Sequence, residues 1–197
     1  GTGRVPATPI MGWLAGSTAA AGGSISAFHQ AVALQTPAGV DASELLPVLQ
    51  ALLDHHDLLR ARLHRGTARW ELEVPEPGTV RADDLLSVVE MRSGTDVGIV
   101  VEEQRLRAAA RLDPDRGVMS QAVLLDTGPA DPGILLLVAH HLVVDGVSWR
   151  ILTEDLAEAW ARHRAGEPIA LPDVGTPFRA WARGLDHAGR KIGRAHV

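Results

Sequence analysis

Between Gly133 and Ala139 the chain reads GILLLVA, apolar at nearly every position. A strand with one wet face alternates apolar and polar residues, whereas a run with no polar face belongs to a strand covered on both sides. The segment is therefore expected to be a central strand, and the chain must supply elements to cover both faces of its sheet. The run ends in two adjacent histidines, His140 and His141, followed by LVV and an Asp-Gly pair, Asp145 and Gly146. Successive strand side chains point to opposite faces. The two rings therefore do not share one metal ion or one substrate: if one faces an open channel, the other faces structure. A histidine at the exit of a central strand, close to a helix start, is where α/β proteins often place reacting groups. It is also where a core histidine sits satisfied by backbone carbonyls, and for an isolated pair this is the commoner outcome.

The remaining periodicities supply the covering elements. DASELLPVLQALLDHHDLLRARL spaces its leucines by three and four, which predicts a helix capped by Asp41 or Ser43, with Glu44 in its first turn and an end near Leu59. RARLH and ARWELEV then alternate as strands up to the turn PEPG. Asp96 to Leu112 form a second helix, stopped by DPDRG, and VMSQAVLLD precedes the central run as another strand. SWRILTEDLAEAWARHRAG returns to the helical period, with Asp145 or Ser148 available as its N-cap, and closes at Gly166. Mixed helices and strands in this order predict an α/β fold, a two-layer sandwich around one sheet.

Composition narrows the function classes. Of the 197 residues 46% are hydrophobic and 22% charged, so the chain folds rather than remaining disordered. A net charge of −5 without a basic cluster argues against a nucleic-acid partner. The absence of cysteine excludes disulfides, thiolate catalysis and zinc-cysteine sites, and no metal site is read from the sequence. No apolar run reaches the roughly 18 residues of a membrane span, and the N-terminus lacks the order of a signal peptide, so a soluble, cytoplasmic location is expected. The opening Gly1 suggests a piece of a longer polypeptide. Lys191 is the only lysine, and the tail KIGRAHV that it begins can be encoded by a common sequencing-library adapter read in frame. Residues 191–197 are accordingly expected to be a non-native tail.

HHLVVDG (140–146) resembles the His-His-x-x-x-Asp-Gly motif of the nonribosomal peptide synthetase condensation superfamily, which includes epimerization domains and is related to chloramphenicol acetyltransferase-like acyltransferases. Three further segments stand in the family's order: TPIMGW (8–13) is similar to TPIQxWF, HHDLLRARL (55–63) to RHxxLRxxF, and LDPDRGVMSQAVLLD (112–126) to the stretch before the catalytic strand. DGVSWRIL and the later GTPFRAWARGL resemble epimerization rather than peptide-bond-forming members. Met11 and Leu14 depart from the pattern, standing where Gln and Phe are usual.

The resemblance implies that residues 1–190 are the N-terminal lobe of a two-lobed chloramphenicol acetyltransferase-like domain. It implies that His141 is the general acid/base and that His140, Asp145, Gly146 and Arg60 are structural, Asp145 pairing with Arg60, or failing that Arg62. Gly146 is expected to hold a backbone angle that a side chain would resist. The substrate implied is an aminoacyl or peptidyl thioester on the phosphopantetheine of a peptidyl carrier protein, with adjacent synthetase domains as partners and no cofactor bound directly. Epimerization at the α-carbon is the leading activity. Condensation, a carrier-docking remnant and a coenzyme A-dependent acyltransferase are the alternatives. The family places a glutamate opposite the histidine in the second half of the domain, beyond this chain, so the chain alone is expected to be inactive. Ser148, Trp149 and Arg150 mark the subfamily without a chemical step, and His55 and His56 are expected to be surface or packing residues.

Overall fold

The computed structural model describes residues 1–21, 25, 28–66, 69–92 and 94–194. The central strand is present as β7 (Pro132–His140) and is paired on both edges. β2 (His29–Ala38) lies antiparallel on one side and β6 (Ser120–Asp126) antiparallel on the other, and β5 (Leu86–Glu90) runs parallel to β6, giving the order β2-β7-β6-β5. A second, three-stranded sheet of β1 (Gly3–Pro6), β4 (Trp70–Val74) and β3 (Arg62–Arg65) sits beside it in the order β1-β4-β3.

The lack of a polar face on β7 is explained by two separate cores. Leu135 and Ala139 join a large cluster that includes Leu45, Leu49 and Leu52 of α2 (Ala42–His55) and Leu152 and Leu156 of α5 (Gly146–Arg164). Leu136 and Val138 point the other way, into a smaller cluster with Ala108, Ala109 and Leu112 at the end of α4 (Val97–Ala110). The two-layer α/β sandwich is formed by α2, α5 and the sheet, and α4 adds a layer on the opposite face. The remaining helices are α1 (Pro9–Ala21), the short α3 (Ala82–Leu85) and α6 (Phe178–Arg194). α6 carries part of the expected non-native tail, and residues 195–197 of that tail lie outside the described residues.

The helix starts follow their caps. Asp41 accepts from the Glu44 N–H at 3.1 Å to open α2, and Asp96 accepts from Gly98 and Ile99 to open α4. α2 ends four residues earlier than the leucine spacing predicts, at His55, and a 3-10 turn over Asp57–Arg60 takes up the remainder. α5 closes where expected, with Gly166 in the left-handed region at φ +70°. Among the described residues no helix is long and apolar enough to cross a membrane.

The smaller core should be as indispensable as the larger one. Leu136→Ala, at a side chain only 1% exposed on the α4 side, is expected to lower unfolding free energy by about 2–5 kcal/mol in chemical denaturation.

Candidate functional site

His140 ends β7 and His141 opens the turn that follows, and their rings go to different surroundings, as the alternation predicts. His140 is fully buried: its Nε2–H donates to the Ile25 carbonyl at 2.8 Å and its Nδ1 accepts from the Leu142 N–H at 3.1 Å. Both nitrogens are used by backbone, and burial first of all holds its pKa below the usual histidine value. His140 is a neutral structural ring.

His141 is half-buried and lines a cavity of about 530 Å³ together with Thr8, Met11, Phe28, Ser148 and Trp181. Its tautomer follows from its partners. The Val144 carbonyl, 2.7 Å from Nδ1, can only accept, so Nδ1 carries the hydrogen. Nε2 therefore presents a lone pair, to which the Gln30 side-chain amide donates at 3.2 Å. Which end of that amide faces the ring is fixed in turn by Trp149, whose donor-only indole N–H meets Gln30 Oε1 at 3.0 Å. Phe28 stacks on the imidazole with centroids 4.7 Å apart and planes 26° from parallel. Two neighbouring histidines of one motif thus hold opposite tautomers, one sealed into the core and one at a cavity wall with its Nε2 lone pair capped by Gln30.

Gln30, Phe28 and Trp149 were not legible as site residues. Gln30 and Phe28 lie at the start of the edge strand β2, 111 and 113 residues before His141, and only the antiparallel register His29↔His140 brings them together. Trp149 belonged to the DGVSWRIL segment, and the structure assigns it contact with the Gln30 amide. Thr8, the first residue of TPIMGW, is 4% exposed and lines the same cavity. Among the described residues its hydroxyl has no hydrogen-bond partner.

Two expectations are corrected. Asp145 does not pair with Arg60. Asp145 is exposed and caps α5, accepting from the N–H and the hydroxyl of Ser148, both at 2.8 Å, and these bonds hold its carboxyl below the ordinary aspartate range. Arg60 is 1% exposed and spends its donors elsewhere: on the carbonyls of Leu53, Asp54 (2.8 Å) and Pro75 (3.3 Å) and on Asp57 (3.0 Å). It closes the C-terminal end of α2, where unpaired carbonyls and the helix dipole favour a cation. Arg62 does not replace it, since its Nε donates to the Asp115 carbonyl. Gly146 is the second correction: its φ is not positive and a Cβ there would meet nothing within 4 Å. As the first residue of α5 it needs only an ordinary helical angle.

Fold and site together define a class: an α/β lobe whose central strand ends by delivering an imidazole to the wall of a chamber beside a helix start. The family model described as Condensation domain matches residues 18–191, and the chain belongs to that family. It is 37% identical over 187 residues to one of the linear gramicidin synthase polypeptides and 32% identical over 183 residues to tyrocidine synthase 1, both of Brevibacillus parabrevis. Each match covers 93% of this chain but only 2% and 16% of those synthases. The solved epimerization domain from the third module of tyrocidine synthetase B superposes with a TM-score of 0.81 at 26% identity, covering 95% of this chain and 40% of that one. The first condensation domain of the calcium-dependent antibiotic synthetase superposes at 0.76 with 21% identity, covering 98% and 44%, a likeness of fold. The chain therefore has the chloramphenicol acetyltransferase-like α/β arrangement and spans about two-fifths of these solved chains.

The corrected roles of Arg60 and Asp145 separate in stability. Arg60→Ala strands a buried cluster of acceptors and is expected to cost about 3–5 kcal/mol, whereas Asp145→Ala removes one helix cap, at about 1 kcal/mol. Equal and large losses on denaturation would restore the ion-pair reading.

Proposed function

We propose that the chain is the histidine-bearing lobe, residues 1–190, of an epimerization domain in a nonribosomal peptide synthetase. Its substrate is an aminoacyl or peptidyl thioester presented on the phosphopantetheine of a peptidyl carrier protein, and neighbouring synthetase domains are its partners. The observation that carries the reading is the Nε2 lone pair of His141 beside the 530 Å³ cavity. An imidazole is suited to take and return a proton near neutral pH. The thioester carbonyl acidifies the α-carbon. Once substrate displaces the Gln30 amide from it, His141 Nε2 takes the α-proton, the C–H electron pair moves into the carbonyl to give an enolate, and reprotonation on the other face inverts the centre. The family resemblance assigns the acid for that face to a glutamate in the second half of the domain. The unpartnered Thr8 hydroxyl is a ready donor to a polar atom of the bound acyl group.

Likeness to the tyrocidine epimerization domain, at higher identity and TM-score than to the condensation domain, supports epimerization over peptide-bond formation. The resemblance of DGVSWRIL points the same way, and Trp149 is the residue of that segment that reaches His141 through Gln30.

The test uses the whole synthetase polypeptide with its carrier loaded with an α-deuterated aminoacyl thioester. Loss of deuterium to solvent and formation of both configurations are expected, and His141→Ala should slow the exchange by about 10²–10⁴-fold, the contribution of a positioned acid/base group. Amide formation with the deuterium retained would instead identify a condensation domain.

A further inference from the structure

A second constellation lies outside the His141 chamber. His55, the last residue of α2, and His56 beside it converge with Asp155 of α5, one ligand atom from each lying within 4.8 Å of the others. We propose that His55, His56 and Asp155 bind a divalent first-row transition-metal ion, Zn²⁺ foremost, which clamps the end of α2 to α5.

The donor set is the one that such an ion takes in a chain without cysteine: two imidazoles and a carboxylate. All three residues are half-buried, so an ion held between them would be partly shielded from water. His56 and Asp155 are already in contact, with Nε2 and Oδ2 2.8 Å apart, and a simple hydrogen-bonded pair would account for those two. It does not account for His55. That ring stands edge-on to His56 with centroids 4.9 Å apart, and among the described residues it makes no hydrogen bond. Ligand atoms of a tetrahedral zinc site are about 3.3 Å apart, given bonds near 2.0–2.1 Å. Side-chain rotation by His55 and Asp155 closes the difference.

The surroundings leave room for a fourth ligand. His55 and His56 line a crevice of about 330 Å³ with Ser148, Thr176 and Trp181, wide enough for a water molecule to complete the coordination. The nearby carboxylate Asp57 is committed to Arg60, so Asp155 is the anion left to balance the ion. The sequence alone pointed away from a metal because Asp155 is 99 residues from His56, and only the packing of α5 on α2 unites them. His55 also stands where the similar RHxxLRxxF segment carries arginine, which supplies a substitution that keeps the His56–Asp155 pair and the fold.

The experiment strips the tag-free full chain of metal with a chelator and titrates it with Zn²⁺, then with Co²⁺. One ion per chain is expected, with a melting temperature that rises with free Zn²⁺ and visible d–d absorption from bound Co²⁺. His55→Arg and Asp155→Asn should each weaken Zn²⁺ binding by at least about tenfold, since even outer-shell partners are worth 10–100-fold. A folded chain that binds no Zn²⁺, or a His55→Arg chain that binds it as tightly as the parent, overturns the site.

Discussion

Everything at the site depends on a strand that is buried on both faces and hydrogen-bonded on both edges. β7 has no solvated side to spare, so its position and direction are fixed by two cores at once. At its exit the backbone stays held: the His140 N–H donates to Met119 and the His141 N–H to Phe28, both at 2.8 Å. With the main chain pinned from both neighbours, alternation alone sends one ring into the core and the other to the cavity wall.

The polar chain around His141 is ordered from its ends. The Val144 carbonyl can only accept and the Trp149 indole can only donate, so the imidazole and amide between them have a single consistent assignment. That assignment puts the ring hydrogen on Nδ1 and turns the Nε2 lone pair toward Gln30. Val144 and Trp149 flank the first turn of α5, which Asp145 caps. The Asp-Gly pair thus serves the site indirectly, by starting the helix that holds Trp149. Arg60, far from being the partner of Asp145, performs the matching task at the other helix, closing α2 beneath the same core.

Much of this arrangement is legible in the chain, because strong periodicity and caps are local signals. The GILLLVA run announced a doubly covered strand, Asp41 announced the start of α2, and the adjacent histidines announced their own separation. The elements left unread are those whose identity is set by pairing. β2 mixes Gln30, Gln35 and Thr36 among apolar residues and becomes a strand because β7 offers it an edge. Gln30 and Phe28 therefore could not be seen as neighbours of His141. The Asp145–Arg60 pairing failed for a related reason: a motif tells which residues matter, whereas a partner is chosen by distance and competing donors. Arg60 met the α2 carbonyls within seven residues, and Asp145 met Ser148 within three. Gly146 shows that a motif glycine need not mark backbone strain.

The base chemistry proposed for His141 stands on its neutral tautomer, since only Nδ1 protonation leaves Nε2 a base. Ring-nitrogen chemical shifts from ¹⁵N-histidine-labelled protein, assigned by loss of the signal in His141→Gln, measure it directly at a pH where the ring is neutral. The result predicted is a proton on Nδ1 of His141 and on Nε2 of His140, opposite tautomers in adjacent residues. A proton on Nε2 of His141 would contradict the account, for it would turn the nitrogen beside Gln30 into a donor and leave the cavity without its base.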